Sequence, residues 1–360
     1  MSKPPIRLMV VDDSAYNRRN IAEVFASQPD VEVVGKAADG EEALRLAALL
    51  KPDVITLDLE MPRMDGFTFL RILMSRQPTP VIVVSSYSQK ENVFKALELG
   101  ALDFVAKPTA QIAPDATDLR EQILEKVLLV RQLRASLPPL SRRAPLSGSL
   151  PPSGRVSYPD STPIRVAPAY VAPKHVVAIA SSTGGPSALL EIFSKVTPAS
   201  AAGIVVAQHM PDKFTRTFAE RLDRKGVVRT SEGQDGDRLG KLTGFVCPGR
   251  QCMEVVANGA ELRITVGAPK AEDRYVPSAD RLLRSVAQAA GARAVGVILT
   301  GMGDDGVEGA RAIRDAGGLV VAESQDTAVV YGMPGAAVRA GIAQKVLPLP
   351  EIAELVAQLV

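Results

Sequence analysis

The chain has no tryptophan, and its aromatics together make up only 4% of 360 residues. So sparse a set leaves few ring faces for stacking bases, which weighs against nucleic-acid binding. Net charge is nearly absent as well: 42 basic against 40 acidic residues leave +2, so no field of one sign draws the chain to nucleic acid or an acidic membrane. No apolar run approaches the roughly 18 residues of a membrane span, so no membrane insertion is expected. The opening MSKPPIRLMVVDDS has too short an apolar core before its aspartates to read as a signal peptide. Two cysteines, Cys247 and Cys252, have no CxxC spacing and no histidine nearby. They read as buried spectator thiols rather than a disulfide framework or metal site, and fit a reducing cytoplasm. Histidine is equally scarce, with only His175 and His209 able to serve as imidazoles.

What is present is an ordinary globular balance, 46% hydrophobic and 23% charged, at a length that suits two or three domains. Over residues 1–135, short apolar runs at 6–11, 31–35, 53–57, 80–84 and 103–105 alternate with amphipathic stretches at 14–27, 41–50, 66–76, 90–99 and 118–134. Five βα units in sequence predict a doubly wound parallel sheet, whose ligands bind beyond the carboxyl ends of the strands. Those ends carry Asp12 and Asp13, then Asp58, then Ser85 and Ser86, then Lys107. Three carboxylates converging there would repel one another unless a hard divalent cation sat among them, and such oxygen ligands suit Mg²⁺. A hydroxyl and an ammonium opposite can hold a transferred phosphoryl group.

The segments VVDD, LDLEMPRMDG, VSS and DFVAKP together resemble a response-regulator receiver domain. That resemblance implies Asp58 as phosphoryl acceptor, Asp12 and Asp13 as the acid pair holding Mg²⁺, Ser85 as the switch hydroxyl and Lys107 as the phosphate-contacting base. It implies Phe104 as the aromatic rotamer switch and a histidine kinase as phosphodonor. Residues 136–173 follow, with nine prolines and four arginines against one aspartate, and read as an extended tether.

Residues 174–360 are again α/β. Apolar strands are expected at 203–207, 294–299 and 318–322, with a short-strand, hairpin-bearing insertion at 226–266 whose turn is at Asn258-Gly259. The first strand ends VVAIASSTGGP, where Ala180-x-Ser182-x-Gly184 has the small–x–Ser–x–small spacing of a nucleophile elbow. Ser-Thr-Gly-Gly is also common turn chemistry. The second strand ends at His209, while His175 starts a strand, at the wrong end of the sheet. A later strand ends in TGMGDDG, presenting Asp304 and Asp305. A serine needs a base, and the base an orienting carboxylate, so three strand ends can supply Ser…His…Asp in chain order, with Asp305 the candidate acid because Asp304 should point elsewhere. One competing pattern is Gly301-x-Gly303-x-x-Gly306 with Glu323 after the next strand, the spacing of a dinucleotide fingerprint, although Asp304 and Asp305 would stand where a pyrophosphate belongs. On that reading the chain is a nucleotide-binding module under phosphorylation control.

ASSTGGP, AQHMP, PSADRLLRSVAQAAGARAVGVILTGMGDDG and GMPGAAVRAG resemble the catalytic domain of the chemotaxis protein-glutamate methylesterases, the CheB family. The resemblance implies a Rossmann-like esterase domain over 174–360 behind the receiver and linker. It implies Ser182, His209 and Asp305 as the triad, with Thr183 and Met302 lining the active site and oxyanion hole and no cofactor for the ester chemistry. The reaction implied is hydrolysis of glutamate γ-methyl esters on chemoreceptor cytoplasmic helices, releasing methanol. Many members also deamidate receptor glutamines. The resemblance further implies that the receiver covers the active site until Asp58 is phosphorylated. Ser181 stands before the nucleophile where the family often has Gly.

Overall fold

Alternating apolar runs and amphipathic stretches resolve into two parallel sheets flanked by helices. The computed structural model describes residues 4–86, 90–107, 116–136 and 170–360. In the first unit the chain runs β1 (Ile6–Val11), α1 (Ala15–Val24), β2 (Val31–Ala37), α2 (Gly40–Leu50), β3 (Val54–Leu57), α3 (Gly66–Arg76), β4 (Val81–Ser86), α4 (Lys90–Glu98), β5 (Asp103–Lys107) and α5 (Ala116–Ser136). The sheet order is β2-β1-β3-β4-β5 with every pair parallel. Helices begin where the sequence offers acceptors: Ser14, Asp39 and Asp65 take the amides of Asn17, Glu42 and Thr68. β3 is buried along its whole length, as a strand covered on both faces must be.

The second unit has a seven-stranded sheet built from β6 (His175–Ser181), β7 (Ala202–Gln208), β8 (Arg229–Glu232), β9 (Thr243–Val246), β12 (Ala294–Ile298), β13 (Leu319–Glu323) and β14 (Lys345–Leu347). Its order is β14-β13-β12-β6-β7-β9-β8, all parallel. The chain turns one way from β6 to β7 and the other way to β12, so the crevice for a ligand lies beyond the end of β6. Around the sheet stand α6 (Gly185–Lys195), α7 (Asp212–Asp223), α8 (Ala279–Ala290), α9 (Val307–Asp315), α10 (Met333–Arg339) and α11 (Leu349–Ala357).

The short-strand region divides differently from the sequence expectation. β8 and β9 extend the main sheet, and only β10 (Cys252–Asn258) and β11 (Glu261–Gly267) form a separate antiparallel hairpin. Asn258 pairs with Glu261, so the turn is Gly259-Ala260, one residue later than expected. Cys247 and Cys252 are buried free thiols, and burial pushes the Cys247 thiol well up. Most of the tether expected at 136–173 lies outside the described residues. Its end does not hang free: Lys241 N donates to Val171 O at 2.7 Å, and Leu262 N to the Tyr170 hydroxyl at 3.2 Å.

The two units share an apolar layer. Phe94 of α4 and Phe104 of β5 meet Phe214 and Phe218 of α7, with ring centres 4.6 to 6.3 Å apart. Behind the second sheet, Arg281 of α8 ties three segments together through Glu254 of β10 at 2.7 Å, Asp273 at 3.1 Å and the Ala268 carbonyl at 3.2 Å. Asp273 is only partly buried and also accepts the Lys270 N–H at 2.7 Å, so truncating Arg281 removes two ion pairs without stranding a bare charge. Arg281→Ala should therefore destabilise this layer by about 1–2 kcal/mol, the sum of two partly exposed pairs. The check is a lower urea midpoint in far-UV dichroism; an unmoved midpoint would show that the ion pairs add nothing net.

Candidate active site

The crevice beyond β6 is built from three neighbouring strand ends. Val176 to Ala180 are fully buried, and the chain leaves the sheet at Ser182, whose N–H donates to Thr300 O at 3.0 Å. Gly185 N–H returns to Ser182 O at 2.8 Å, which closes the turn into α6. Two glycines make this turn fit. Gly184 has φ +81°, and a Cβ at Gly185 would stand 2.1 Å from Gln208 Oε1. Ser181 is buried with its hydroxyl donating to Gln208 Oε1 at 2.7 Å. The serine that lines the cavity is the next residue, Ser182.

Gln208, the last residue of β7, was not singled out from the sequence. Its Nε2 donates to both Ser182 O and His209 O at 2.9 Å, so one amide ties the elbow of β6 to the end of β7. The available signal was a polar residue directly before His209, at the carboxyl end of an otherwise apolar strand.

His209 Nε2 lies 2.8 Å from Asp305 Oδ2. Asp305 is buried, and its carboxylate also accepts the N–H groups of Ala279 at 2.8 Å and Asp280 at 3.0 Å, at the start of α8. Unpaired amides and the helix dipole favour negative charge there. Asp304 points elsewhere, as expected, accepting from the Tyr275 hydroxyl at 3.1 Å and Arg274 at 3.3 Å. Tyr275 stacks on the His209 ring, centres 5.4 Å apart and planes at 12°. Burial, then the neighbouring Asp304 carboxylate, raise the phenol's pKa and keep it a donor. With Nε2 on the acid, Nδ1 is the ring nitrogen left for a hydroxyl. No hydrogen bond joins Ser182 to His209 among the described residues, and such contacts often tighten only when substrate binds. His175 starts β6, at the opposite end of the sheet.

Ser182, Thr183, His209 and Met302 line a cavity of about 410 Å³ whose other wall belongs to the first unit, including Asp103, Phe104 and Lys126. Thr183 Oγ1 donates to Asp103 Oδ2 at 2.5 Å, and Lys126 Nζ reaches the same oxygen at 2.5 Å. Phe104 is buried between the units, against Phe94 and Phe214.

At the ends of the first sheet, Asp12, Asp13 and Asp58 bring carboxylate oxygens within 4.8 Å of one another. Lys107 Nζ stands 2.5 Å from Asp58 Oδ2 and 2.9 Å from Asp12 Oδ2. Burial pushes the Asp58 carboxyl up, with Lys107 partly countering it. Burial also works against the Lys107 charge, but Asp58 and Asp12 outweigh it and the ammonium's pKa rises. Asp12 Oδ2 is buried without an aligned hydrogen bond despite the nearby ammonium. An oxygen so placed among three carboxylates fits a hard divalent cation. Ser85 is buried near the end of β4.

The dinucleotide pattern has a packing explanation. A Cβ at Gly301 would come within 2.3 Å of Met333 Sδ and 2.8 Å of Ser182 Cβ, and the Gly301 N–H is used by Val330 O. Glu323 is buried and accepts from Thr300 N and Thr327 Oγ1, which withdraws it from any ribose.

Residues 177–356 match the family model for CheB methylesterase, and residues 8–114 that for the response regulator receiver domain. A protein-glutamate methylesterase/protein-glutamine glutaminase of Myxococcus xanthus is 46% identical over 99% of this chain and 98% of its own length. A Pyrococcus abyssi protein of the same name is 38% identical over 99% of this chain and 94% of its own. The crystal structure of the Thermotoga maritima CheB methylesterase catalytic domain superposes with a TM-score of 0.50 at 35% identity, covering 52% of this chain and 98% of that one.

Gln208→Met keeps the volume but strips partners from the Ser181 hydroxyl and two carbonyls. Labelling of Ser182 by a serine-reactive fluorophosphonate should slow about 10²-fold, the scale of an ångström's misplacement, with the far-UV spectrum retained. Unchanged labelling would make the amide bridge irrelevant to the elbow.

Proposed function

The chain belongs to the CheB methylesterase family, with a receiver domain ahead of the catalytic region, and on that premise we propose that Ser182, His209 and Asp305 carry its ester hydrolysis. The observation that carries this reading is the 2.8 Å contact between His209 and a helix-anchored Asp305, on the cavity that Ser182 also lines. His209 takes the proton from Ser182 Oγ as the oxygen attacks the γ-carbonyl of a methylated glutamate. Asp305 steadies the imidazolium, and backbone N–H groups around Thr183 and Met302 receive the oxyanion. His209 then returns the proton to the departing methoxide, methanol leaves, and a water deprotonated by the same ring cleaves the acyl-serine to free glutamate and the serine. With a glutamine side chain the same steps release ammonia, matching the glutaminase part of the relatives' names. The substrates are cytoplasmic helices of chemoreceptors, and the enzyme works in the cytoplasm. No helix among the described residues is long and apolar enough to cross a membrane.

The shared cavity supports a reading of regulation. The receiver inhibits by standing over Ser182 through Asp103 and Phe104, until a histidine kinase phosphorylates Asp58. Asp12, Asp13 and Asp58 would hold Mg²⁺, which when bound neutralises charge on the transferred phosphoryl group. Lys107 contacts that group, with Ser85 as the switch hydroxyl and Phe104 as the rotamer switch. Lys107 and Asp103 are the two ends of β5, so the phosphorylation site and the contact on Thr183 share one strand.

Ser182→Ala should cut methanol release from methylated receptors at least 10³-fold; a variant of full activity would sink the assignment. Removing residues 1–135 should raise turnover, and unchanged or lower turnover would rule out inhibition by the receiver.

A further inference from the structure

The helix that leaves the active site carries a pattern the reaction does not use. α7 starts at Asp212, on the cavity wall, and is followed by Arg224 and Lys225. Phe214, Phe218 and Arg221 recur at i, i+4 and i+7, a stripe on one face of the helix, and Lys225 follows just past its end. The stripe is apolar near the cavity and basic about 13 Å further on, at 1.5 Å per residue.

What covers it is a second helix with the complementary pattern. Glu91, Phe94 and Glu98 of α4 stand at i, i+3 and i+7. Phe94 stacks on Phe218 with centres 5.4 Å apart. Glu91 reaches Arg221 and Arg224, each at 3.2 Å. Glu98 reaches Arg221 at 2.5 Å and Lys225 at 3.2 Å. Burial opposes the Glu98 charge, yet Arg221 and Lys225 hold its carboxyl below the usual range. Among the described residues, Arg221, Arg224 and Lys225 form ion pairs only with α4, never with an acid of their own domain. Without α4, three cations at the end of α7 lose their ion-pair partners, and Phe218 loses the ring stacked on it.

We infer that this stripe is the docking surface for the protein substrate, which presents an acidic amphipathic helix with carboxylates at i and i+7 around an apolar residue, and that α4 is its resident mimic. The receiver then competes with substrate for α7, besides standing over Ser182. This rests on the esterase reading above but is tested apart from it. The charge complementarity that seats α4 is the argument for the occupant: a neutral or basic helix would leave Arg221 desolvated without a partner.

The probe is a fluorescein-labelled helical peptide with Glu at i and i+7 around a Phe, bound to the full-length chain carrying Ser182→Ala, so that binding is read without turnover. Adding Arg221→Glu and Arg224→Glu to a chain that also carries Glu91→Ala and Glu98→Ala, in which α4 no longer competes through these charges, should weaken binding about tenfold, the sum of a few partly exposed ion pairs. A peptide with Lys at both acidic positions should recover most of the loss, which a merely misfolded variant could not do. Adding Glu91→Ala and Glu98→Ala by themselves should instead tighten the acidic peptide's binding, and its affinity for the unaltered surface should fall with salt. If the charge-reversed chain binds both peptides as the parent does, α7 is only a clamp for the receiver and the inference fails. Failure of the esterase assignment would show separately, as methanol release that survives Ser182→Ala.

Discussion

The arrangement depends most on one carboxylate seated at the start of one helix. Asp305 accepts two amides of α8 and holds His209, so the imidazole is only as well placed as α8 is. α8 is in turn fixed from behind. Asp280 accepts the Gly309 N–H at 2.8 Å, and a Cβ on Gly309 would lie 2.6 Å from Asp280 O, so α8 and α9 approach closely only because a glycine stands there. Burial, with the nearby Asp305 charge adding to it, raises the Asp280 carboxyl. The Arg281 ion pairs then bind α8 to the hairpin and to the loop that carries Tyr275 over the imidazole. Chemistry at the strand ends is thus positioned by packing on the far side of the sheet, where a fault of one methyl group is felt.

The interface between the units combines two physical regimes. Its centre is an aromatic cluster buried as deeply as any domain core, worth on the order of 1.5–3 kcal/mol for each large side chain removed from water. Its edge is ionic, with Glu91 and Glu98 facing α7 across side chains that keep some contact with solvent. Such pairs add little net strength and much selectivity, because wrong partners leave charges unpaired. The polar contact nearest the chemistry, Thr183 to Asp103, is shared with Lys126, so the receiver's carboxylate stays paired whether or not Thr183 remains.

Much of this was legible in the sequence because strand ends in a doubly wound sheet are where chain order and chemistry coincide. The positions of Asp12, Asp58, Lys107, Ser182, His209 and Asp305 follow from apolar runs and the residues that terminate them. β14 was not foreseen, because three residues with two exposed carry no periodicity. β8 and β9 were read as part of an insertion, because strand pairing at a sheet edge is decided by partners distant in the chain. Gln208 and Tyr275 were missed for a related reason: their role is to touch other site residues, which no local pattern encodes. The dinucleotide spacing was legible too, but Gly301 serves close packing against Met333 and Ser182, and Gly303 and Gly306 hold positive φ angles.

β5 joins the acidic cluster of the first unit to the contact on Thr183. Its last residue, Lys107, bridges Asp58 and Asp12, and its first, Asp103, holds Thr183 beside the candidate nucleophile. At about 3.3 Å per residue the two contacts are roughly 13 Å apart on one strand. α4, next to it in the chain, supplies the helix that occupies α7. Coupling between two binding events is reciprocal. If phosphorylation at Asp58 loosens the grip on Thr183 and α7, then an acidic helix that takes α7 must favour the phosphorylated receiver by the same free energy. Substrate is then more than a passive beneficiary of activation. By holding the surface that α4 would reoccupy, it would stabilise the state in which Ser182 is exposed, which on this proposal keeps the enzyme open where its targets are dense.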